Sequence, residues 1–176
     1  MTSDLTVVYE SNAGHTYQYA QMLADRLEVP ALELAQAKRQ LPRGSRVVFL
    51  GWIFAGSVKG GKKALQLFDV VALVGCGMGA NGSQVDDLRR NTPVPDHVPV
   101  TTIQGGLELS RLSGPYKLAL SMASKALKKA EEQGETADDC ASEQDRAMRE
   151  AFRDPRNHVS QANADLLYAW LQEQLG

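Results

Sequence analysis

The sequence predicts an α/β fold built on a doubly wound sheet of five parallel strands. Three nearly continuous apolar runs, at residues 46–50, 70–74 and 98–103, are typical of strands that are buried on both faces. Helix-forming segments lie between most of the predicted strands. Because strands that alternate with helices form right-handed crossovers between parallel neighbours, the pattern favours one open parallel sheet.

The chain begins with a strand, a loop and a helix. Residues 5–9 form a β-rich run, residues 11–14 are turn-like, and residues 16–27 favour a helix. A short second strand is expected around residues 32–34, and a short helix around residues 62–67 precedes the second buried run. This order places the turn-like residues after the first strand, at the carboxyl edge of the sheet.

Only helices are predicted after the last strand. We expect residues 107–156 to form a helical insertion in a single domain of residues 1–176, because the leucine, methionine and lysine pattern around residues 118–129 is amphipathic and has no strand partner. Residues 131–146 are charged or small, which predicts a solvated loop with helical content. Ser160 is a suitable N-cap for a closing helix that reaches about residue 174.

The composition excludes several classes of protein. The 176 residues are 43% hydrophobic and 23% charged, which is typical of a globular chain with a core. The net charge of −2 is too balanced for a nucleic-acid-binding protein, so no nucleic acid partner is expected. Two cysteines, Cys76 and Cys140, and three scattered histidines predict neither a disulfide framework nor a zinc site. Without a leader pattern or a long apolar run, a cytoplasmic protein is expected.

The first loop, residues 11–16, joins the first strand to the first helix and is a candidate phosphate site. Backbone N–H groups at a helix N-terminus have no intrahelical partner, and the helix dipole adds partial positive charge there. That combination binds phosphate, although an ordinary N-capped turn would have the same sequence. The candidate residues are Ser11, Asn12, Ala13, Gly14, His15 and Thr16.

The second loop, residues 51–57, and the third loop, residues 75–82, follow the next two buried strands. Aromatic rings between glycines suit stacking on a flat ligand, with core packing of Trp52 and Phe54 as the alternative. The many glycines of the third loop suggest backbone that wraps around a ligand. The candidates in these loops are Trp52, Ile53, Phe54, Ala55, Gly56, Cys76, Gly77, Met78 and Gly79. A formal G-x-G-x-x-G at Gly77, Gly79 and Gly82 follows the wrong strand for a nicotinamide dinucleotide, and no acidic residue follows it at the required distance.

With these three loops together, the chain resembles flavodoxin-like domain proteins. Ser11, Gly14 and Thr16 match the phosphate pattern T/S-x-T/S-G-x-T, from which Ala13 departs. Residues 51–60 and 105–113, the latter leading into the lysine-rich helix, are similar to the group that includes menaquinone-dependent protoporphyrinogen oxidase. The resemblance implies the strand order 2-1-3-4-5.

The resemblance also implies a noncovalent FMN cofactor, with its phosphate in the first loop and its ring between the second and third loops. Gly56 is then the candidate for a peptide that reorients beside the flavin. The implied function is that of an electron carrier or a small oxidoreductase, whose partner is a redox protein or a small-molecule acceptor such as a quinone.

Two alternatives remain open at this point. A non-redox binding module that has lost its flavin would explain Ala13, which removes a hydroxyl donor from the phosphate pattern. The cluster of Lys125, Lys128 and Lys129 would also suit docking to a partner or to a membrane surface, together with Leu118, Leu120 and Met122. This is the lesser alternative to a solvated helix face.

Overall fold

The computed structural model describes residues 4–134 and 143–176 and has an α/β architecture with a mostly parallel sheet. The strands are β1 (Thr6–Glu10), β2 (Ala31–Glu33), β3 (Arg46–Phe54), β4 (Ser57–Val58), β5 (Asp69–Gly77) and β6 (Val100–Gln104). The helices are α1 (His15–Leu27), α2 (Leu34–Gln40), α3 (Gly61–Leu67), α4 (Val85–Asn91), α5 (Gly114–Glu132), α6 (Glu143–Arg153) and α7 (Gln161–Leu175). The predicted class, α/β with a parallel sheet, is confirmed.

The strand order is β2-β1-β3-β5-β6, and all four of these pairings are parallel. It differs from the predicted order 2-1-3-4-5 because the sequence analysis missed β4. This two-residue strand pairs antiparallel with the end of β3, with Ile53 opposite Val58 and Phe54 opposite Ser57. The sheet therefore contains a sixth, antiparallel strand beside β3.

Two hydrophobic cores lie on opposite faces of the sheet. One core joins α1 and α7 to inward side chains such as Val7 and Leu50, which are fully buried. The other joins α2, α3 and α4 to side chains such as Val8 and Phe49, also fully buried. Neighbouring residues of one strand point to opposite faces, so apolar runs without alternation are what a sheet covered on both sides requires.

The ends of α1 and α7 follow from local sequence signals. The Ser160 hydroxyl accepts a hydrogen bond from the Asn163 N–H at 3.2 Å, which confirms the predicted N-cap of the closing helix. At the end of α1, Glu28 has a φ of 56°, and its N–H donates to the carbonyls of Ala24 and Asp25. Both helices therefore begin and end close to the residues that the sequence predicts.

Two buried strands are longer than predicted. The run at residues 46–50 extends to Phe54, because the hairpin to β4 provides further backbone pairing. The run at residues 70–74 extends to Gly77, because this strand pairs with β6 as far as Gln104. As a result, the first part of the second loop and the first part of the third loop are strand.

The segment between β6 and α7 contains two helices. The amphipathic pattern around residues 118–129 lies within α5, and α6 follows it. A single antiparallel bridge between Gly106 and Asn157 joins the two ends of this segment. The loop predicted for residues 131–146 falls partly on residues 135–142, and this part lies outside the described residues; Cys140 lies there as well.

Replacing Leu171 by alanine tests how α7 is held. Leu171 is fully buried in the core shared by α1 and α7, so Leu171→Ala should lower the free energy of unfolding by about 2–5 kcal/mol. The matched control is Leu166→Ala on the same helix, where the side chain is 61% exposed and the change should stay within about 0.5 kcal/mol. Urea denaturation measures both, and equal losses would contradict the assigned core.

Candidate functional site

The carboxyl ends of β1, β3 and β5 meet at one edge of the sheet. Glu10 is in register with Gly51, and Trp52 is in register with Cys76, so the three strands end side by side. The chain leaves β1 toward β2 on one side, whereas β3 leads toward β5 on the other. Ligands of open α/β sheets bind in the crevice at such a reversal of strand order.

In the structure the first loop ends at Gly14, because His15 and Thr16 already belong to α1. Gly14 is the N-cap of this helix and has a φ of 95°. Glycine adopts this left-handed backbone without the steric cost of a Cβ. Gly14 has no side chain with which to cap α1, and the first turn of the helix contains no acidic residue. The N-terminus of a 13-residue helix therefore faces the crevice with its dipole uncompensated by its own first turn.

Two residues of the first loop, Asn12 and Ser11, accept hydrogen bonds from backbone N–H groups. The Asn12 side-chain oxygen accepts a hydrogen bond from the Ser113 N–H at 3.1 Å, which ties the first loop to the start of α5. The Ser11 hydroxyl oxygen accepts a longer one, 3.4 Å, from the Tyr17 N–H. Asn12 thus holds the start of α5, in the insertion, against the first loop.

His15 is the centre of a polar cluster that the sequence analysis missed. Its Nε2 lies 2.8 Å from the Oε2 of Glu108, and the Nη1 of Arg111 lies 3.3 Å from the same oxygen. A Cβ built on Gly14 would lie 3.2 Å from the Nη2 of Arg111. One carboxylate, one imidazole and one guanidinium therefore meet beside the first loop.

Burial and hydrogen bonding set the charge states of this cluster. His15 is only 6% exposed, and burial lowers its pKa in spite of the raising effect of Glu108. The hydrogen bond from His15 lowers the pKa of the Glu108 carboxyl. At neutral pH the imidazole is therefore neutral, and its Nε2–H donates to an ionised carboxylate.

The second loop is a β-hairpin rather than an irregular loop. Ala55 and Gly56 have φ values of 49° and 74°, and this pair of positive angles defines a two-residue type I′ turn between β3 and β4. An alanine in this conformation is unusual, since its Cβ disfavours positive φ. The turn therefore connects β3 to β4 at the edge of the sheet that faces the insertion.

The aromatic residues of the second loop pack against α5. Trp52 and Phe54 contact Tyr116 in edge-on arrangements, with ring centroids 4.7 and 5.1 Å apart. The Nζ of Lys59 lies 5.2 Å from the Phe54 centroid and 5.3 Å from that of Tyr116. Trp52 and Phe54 remain half-buried, so the pair forms a wall shared by the sheet edge and the insertion.

The glycines of the third loop are mostly packing residues. Gly75 and Gly77 lie in β5, and a Cβ on Gly75 would come within 2.8 Å of both Leu88 and Ile53. The buried Gln84 accepts a hydrogen bond from the Gly79 N–H at 3.1 Å and fixes the loop after β5. Neighbouring side chains therefore lie so close to Gly75, Gly77 and Gly79 that a Cβ at any of these positions would clash with the protein itself.

Cys76 is not poised for thiol chemistry. The residue lies in β5 and is 5% exposed, and burial raises the pKa of its thiol to about 12. A protonated thiol is a poor nucleophile. Cys76 is therefore a small residue of the site wall.

Two of the cavities at this edge of the sheet are lined by residues of the second loop. The inner cavity, of about 50 Å³, is lined by Ala13, His15, Thr16, Trp52, Ile53, Cys76, Gly77, Met78, Gly105, Gly106 and Leu112. The apolar cavity, of about 260 Å³, is lined by Ile53, Phe54, Ala55, Met78, Ala119, Leu120, Ala123 and Met148. Both share Ile53 and Met78.

The structure brings most of the sequence-predicted site residues together around these two cavities. Five predicted residues line neither cavity: Ser11, Asn12 and Gly14 of the first loop, Gly56 of the second loop and Gly79 of the third loop. The residues that sequence reasoning missed come from the insertion, chiefly Glu108, Arg111, Leu112, Tyr116 and Leu120. In the described part of the chain no group of three or more histidine, cysteine or acidic side chains could hold a metal ion.

No protein-family model and no curated protein matches this chain. Among residues 4–134 and 143–176, every helix is too short or too polar to cross a bilayer. The functional assignment therefore depends on the geometry of the site.

The buried imidazole should make stability depend on pH. Because burial lowers the pKa of His15, the unfolded chain binds more protons, and the stability contributed by the neutral imidazole decreases as the pH falls below about 6.5. We expect the free energy of unfolding to decrease between pH 7 and about pH 5, and to decrease less in His15→Gln, as measured by urea denaturation.

His97→Gln, at an exposed position outside the site, controls for the loss of a histidine as such. Equal pH dependence in wild type and His15→Gln would contradict this prediction, because it would mean that folding leaves the pKa of His15 unchanged.

Proposed function

We propose that the protein is a flavodoxin-like, FMN-binding redox protein. The observation that supports this most directly is that the loops after three neighbouring parallel strands line one cavity at the point where the strand order reverses. The α/β architecture with its mostly parallel sheet is compatible with a flavodoxin-like fold.

The residues of the first loop fit the phosphate of FMN. The left-handed Gly14 leaves the backbone open to close approach, and α1 directs its N-terminal N–H groups and dipole to the same place. Thr16 and Ser11 supply hydroxyl groups, and the nearby Arg111 guanidinium supplies positive charge that offsets the absence of a hydroxyl at Ala13.

The walls between the second and third loops suit a flat, largely apolar ring. Ile53, Phe54 and Met78 offer apolar and aromatic surface, and none of the residues that line the apolar cavity is charged. Each cavity alone is smaller than the roughly 300–1,000 Å³ of most ligand pockets. Ile53 and Met78 line both cavities, and because methionine is unbranched and has three rotatable bonds, the Met78 side chain can move to join the two.

FMN, when bound, supplies the electron transfer, and the protein sets its surroundings. Leu112 and Leu120, from the insertion, exclude water from the site, and Ala55 brings backbone to the edge of the apolar cavity. Gly56, the second residue of the turn, has a φ of 74° and is the candidate for a peptide that reorients beside the flavin. An uncharged cavity favours a neutral small-molecule acceptor, such as a quinone, over a redox partner protein.

A second candidate is a binding module that holds no flavin. The Glu108 carboxylate already lies beside the N-terminus of α1, bonded to His15, and the inner cavity is small. Both observations favour a closed site that holds no cofactor. An absorption spectrum of the purified protein separates the two candidates.

The proposal is tested by releasing the cofactor. The native protein should be yellow, and heat denaturation followed by chromatography should yield FMN. Release of FAD or a nicotinamide dinucleotide would contradict the assignment. A colourless protein that does not bind added FMN would support the binding module.

Gly14→Asp should weaken FMN binding by about 3 kcal/mol, or roughly 100-fold in Kd, because it removes charge-assisted hydrogen bonds and adds a repelling carboxylate. The new side chain would also meet Arg111 at 3.2 Å. The matched control is Gly44→Asp, which has a similar positive φ of 80° but has no atom within 4 Å of its Cβ. Titration followed by flavin fluorescence measures both, and unchanged affinity in folded Gly14→Asp would move the phosphate site elsewhere.

A further inference from the structure

The outward side of α5 carries two exposed apolar side chains. Leu118 is 65% exposed and Met122 is 63% exposed, among the most exposed large hydrophobic residues that the structure describes. Residues four apart lie on the same side of a helix, so the two form one apolar strip. A single exposed leucine is ordinary on a protein surface, but two side by side along one helix face form a small patch.

Exposed lysines of α5 lie beyond the end of this apolar strip and along one side of it. Lys125 and Lys129 follow Met122 at helical spacing on the same side, and both are exposed. Lys117 and Lys128 lie along the neighbouring edge and are exposed as well. At the end of the helix, Glu131 accepts a hydrogen bond from Arg153 at 2.8 Å, so one of the nearby negative charges is paired.

We propose that α5 binds the surface of an anionic lipid bilayer, lying parallel to the membrane. Leu118 and Met122 would enter the boundary between headgroups and acyl chains, and the four lysines would contact anionic headgroups. The charge supports this occupant: the whole chain has a net charge of −2, whereas this face of α5 is lysine-rich. This proposal does not depend on FMN.

The apolar cavity supports the same orientation. Ala119, Leu120 and Ala123 of α5 line it from one side, and Ala119 is also exposed at the surface next to Leu118. The helix that carries the apolar strip is therefore also a wall of the cavity. A bilayer-bound protein would hold the cavity beside the lipid phase.

Vesicle flotation with the full chain tests the proposal. The protein should float with vesicles of equal parts phosphatidylglycerol and phosphatidylcholine and not with pure phosphatidylcholine, and added salt should weaken the binding. Lys125→Gln/Lys129→Gln should reduce binding by about fivefold for each lysine, or roughly 25-fold for the pair. Lys62→Gln/Lys63→Gln, on the exposed side of α3, is the matched control and should bind like wild type.

A second pair of variants tests the apolar strip. Leu118→Ser/Met122→Ser should weaken vesicle binding by at least about tenfold, whereas Leu166→Ser, at a residue of similar exposure on α7, should not change it. Circular dichroism checks that each variant is folded. The proposal is overturned if the wild-type protein does not float with the anionic vesicles. That result is the one expected if the lysine-rich face of α5 binds an acidic protein instead of a membrane. It is also overturned if neutral vesicles bind equally or the controls lose as much binding.

Discussion

The parallel pairing of β1, β3 and β5 is the constraint on which the candidate site depends. Because all three strands run in the same direction and in register, the chain can leave each of them only at the same edge of the sheet. The two hydrophobic cores hold that register, since a slip by one residue would turn Val7 and Val8 to the wrong faces. Core packing therefore fixes the distance between the first loop and the aromatic residues at the end of β3.

The segment that follows β6 closes this edge through contacts of different kinds. Ser113 donates to Asn12, Glu108 accepts from His15, and Tyr116 packs on the aromatic residues of β3. A neutral hydrogen bond such as that from Ser113 to Asn12 contributes about 1 kcal/mol, and an aromatic pair contributes a similar amount. A hydrogen bond to an ionised carboxylate, such as Glu108, contributes about 1.5–3 kcal/mol. The buried Leu107, Leu112 and Leu120 also form a hydrophobic cluster that packs against Phe54 and Met78. The segment is therefore held over the loops by polar, aromatic and apolar contacts together.

Local signals in the sequence account for the parts of the fold that could be predicted. The N-cap at Ser160 and the unbroken apolar runs act over a few residues, and the structure confirms them. The hairpin to β4 was missed because its turn places Ala55 at a positive φ, which alanine disfavours. Glu108 was missed because it meets His15 across 93 residues, and no local pattern records such a contact. The positions of the loops at the strand ends were therefore predictable, as was a helical segment after the last strand, whereas the contacts between that segment and the loops were not.

At the first loop, the carboxylate of Glu108 occupies the region in which the proposed phosphate would bind. The N-terminus of α1 attracts negative charge, and Glu108 provides one carboxylate there without a ligand. A phosphate at the same place would bring more negative charge and more hydrogen-bond acceptors, but it would also repel Glu108. Arg111 contacts the carboxylate and lies against Gly14, so its guanidinium can pair with either anion. Phosphate binding and the contact between Glu108 and His15 should therefore oppose each other, with Arg111 stabilising both states.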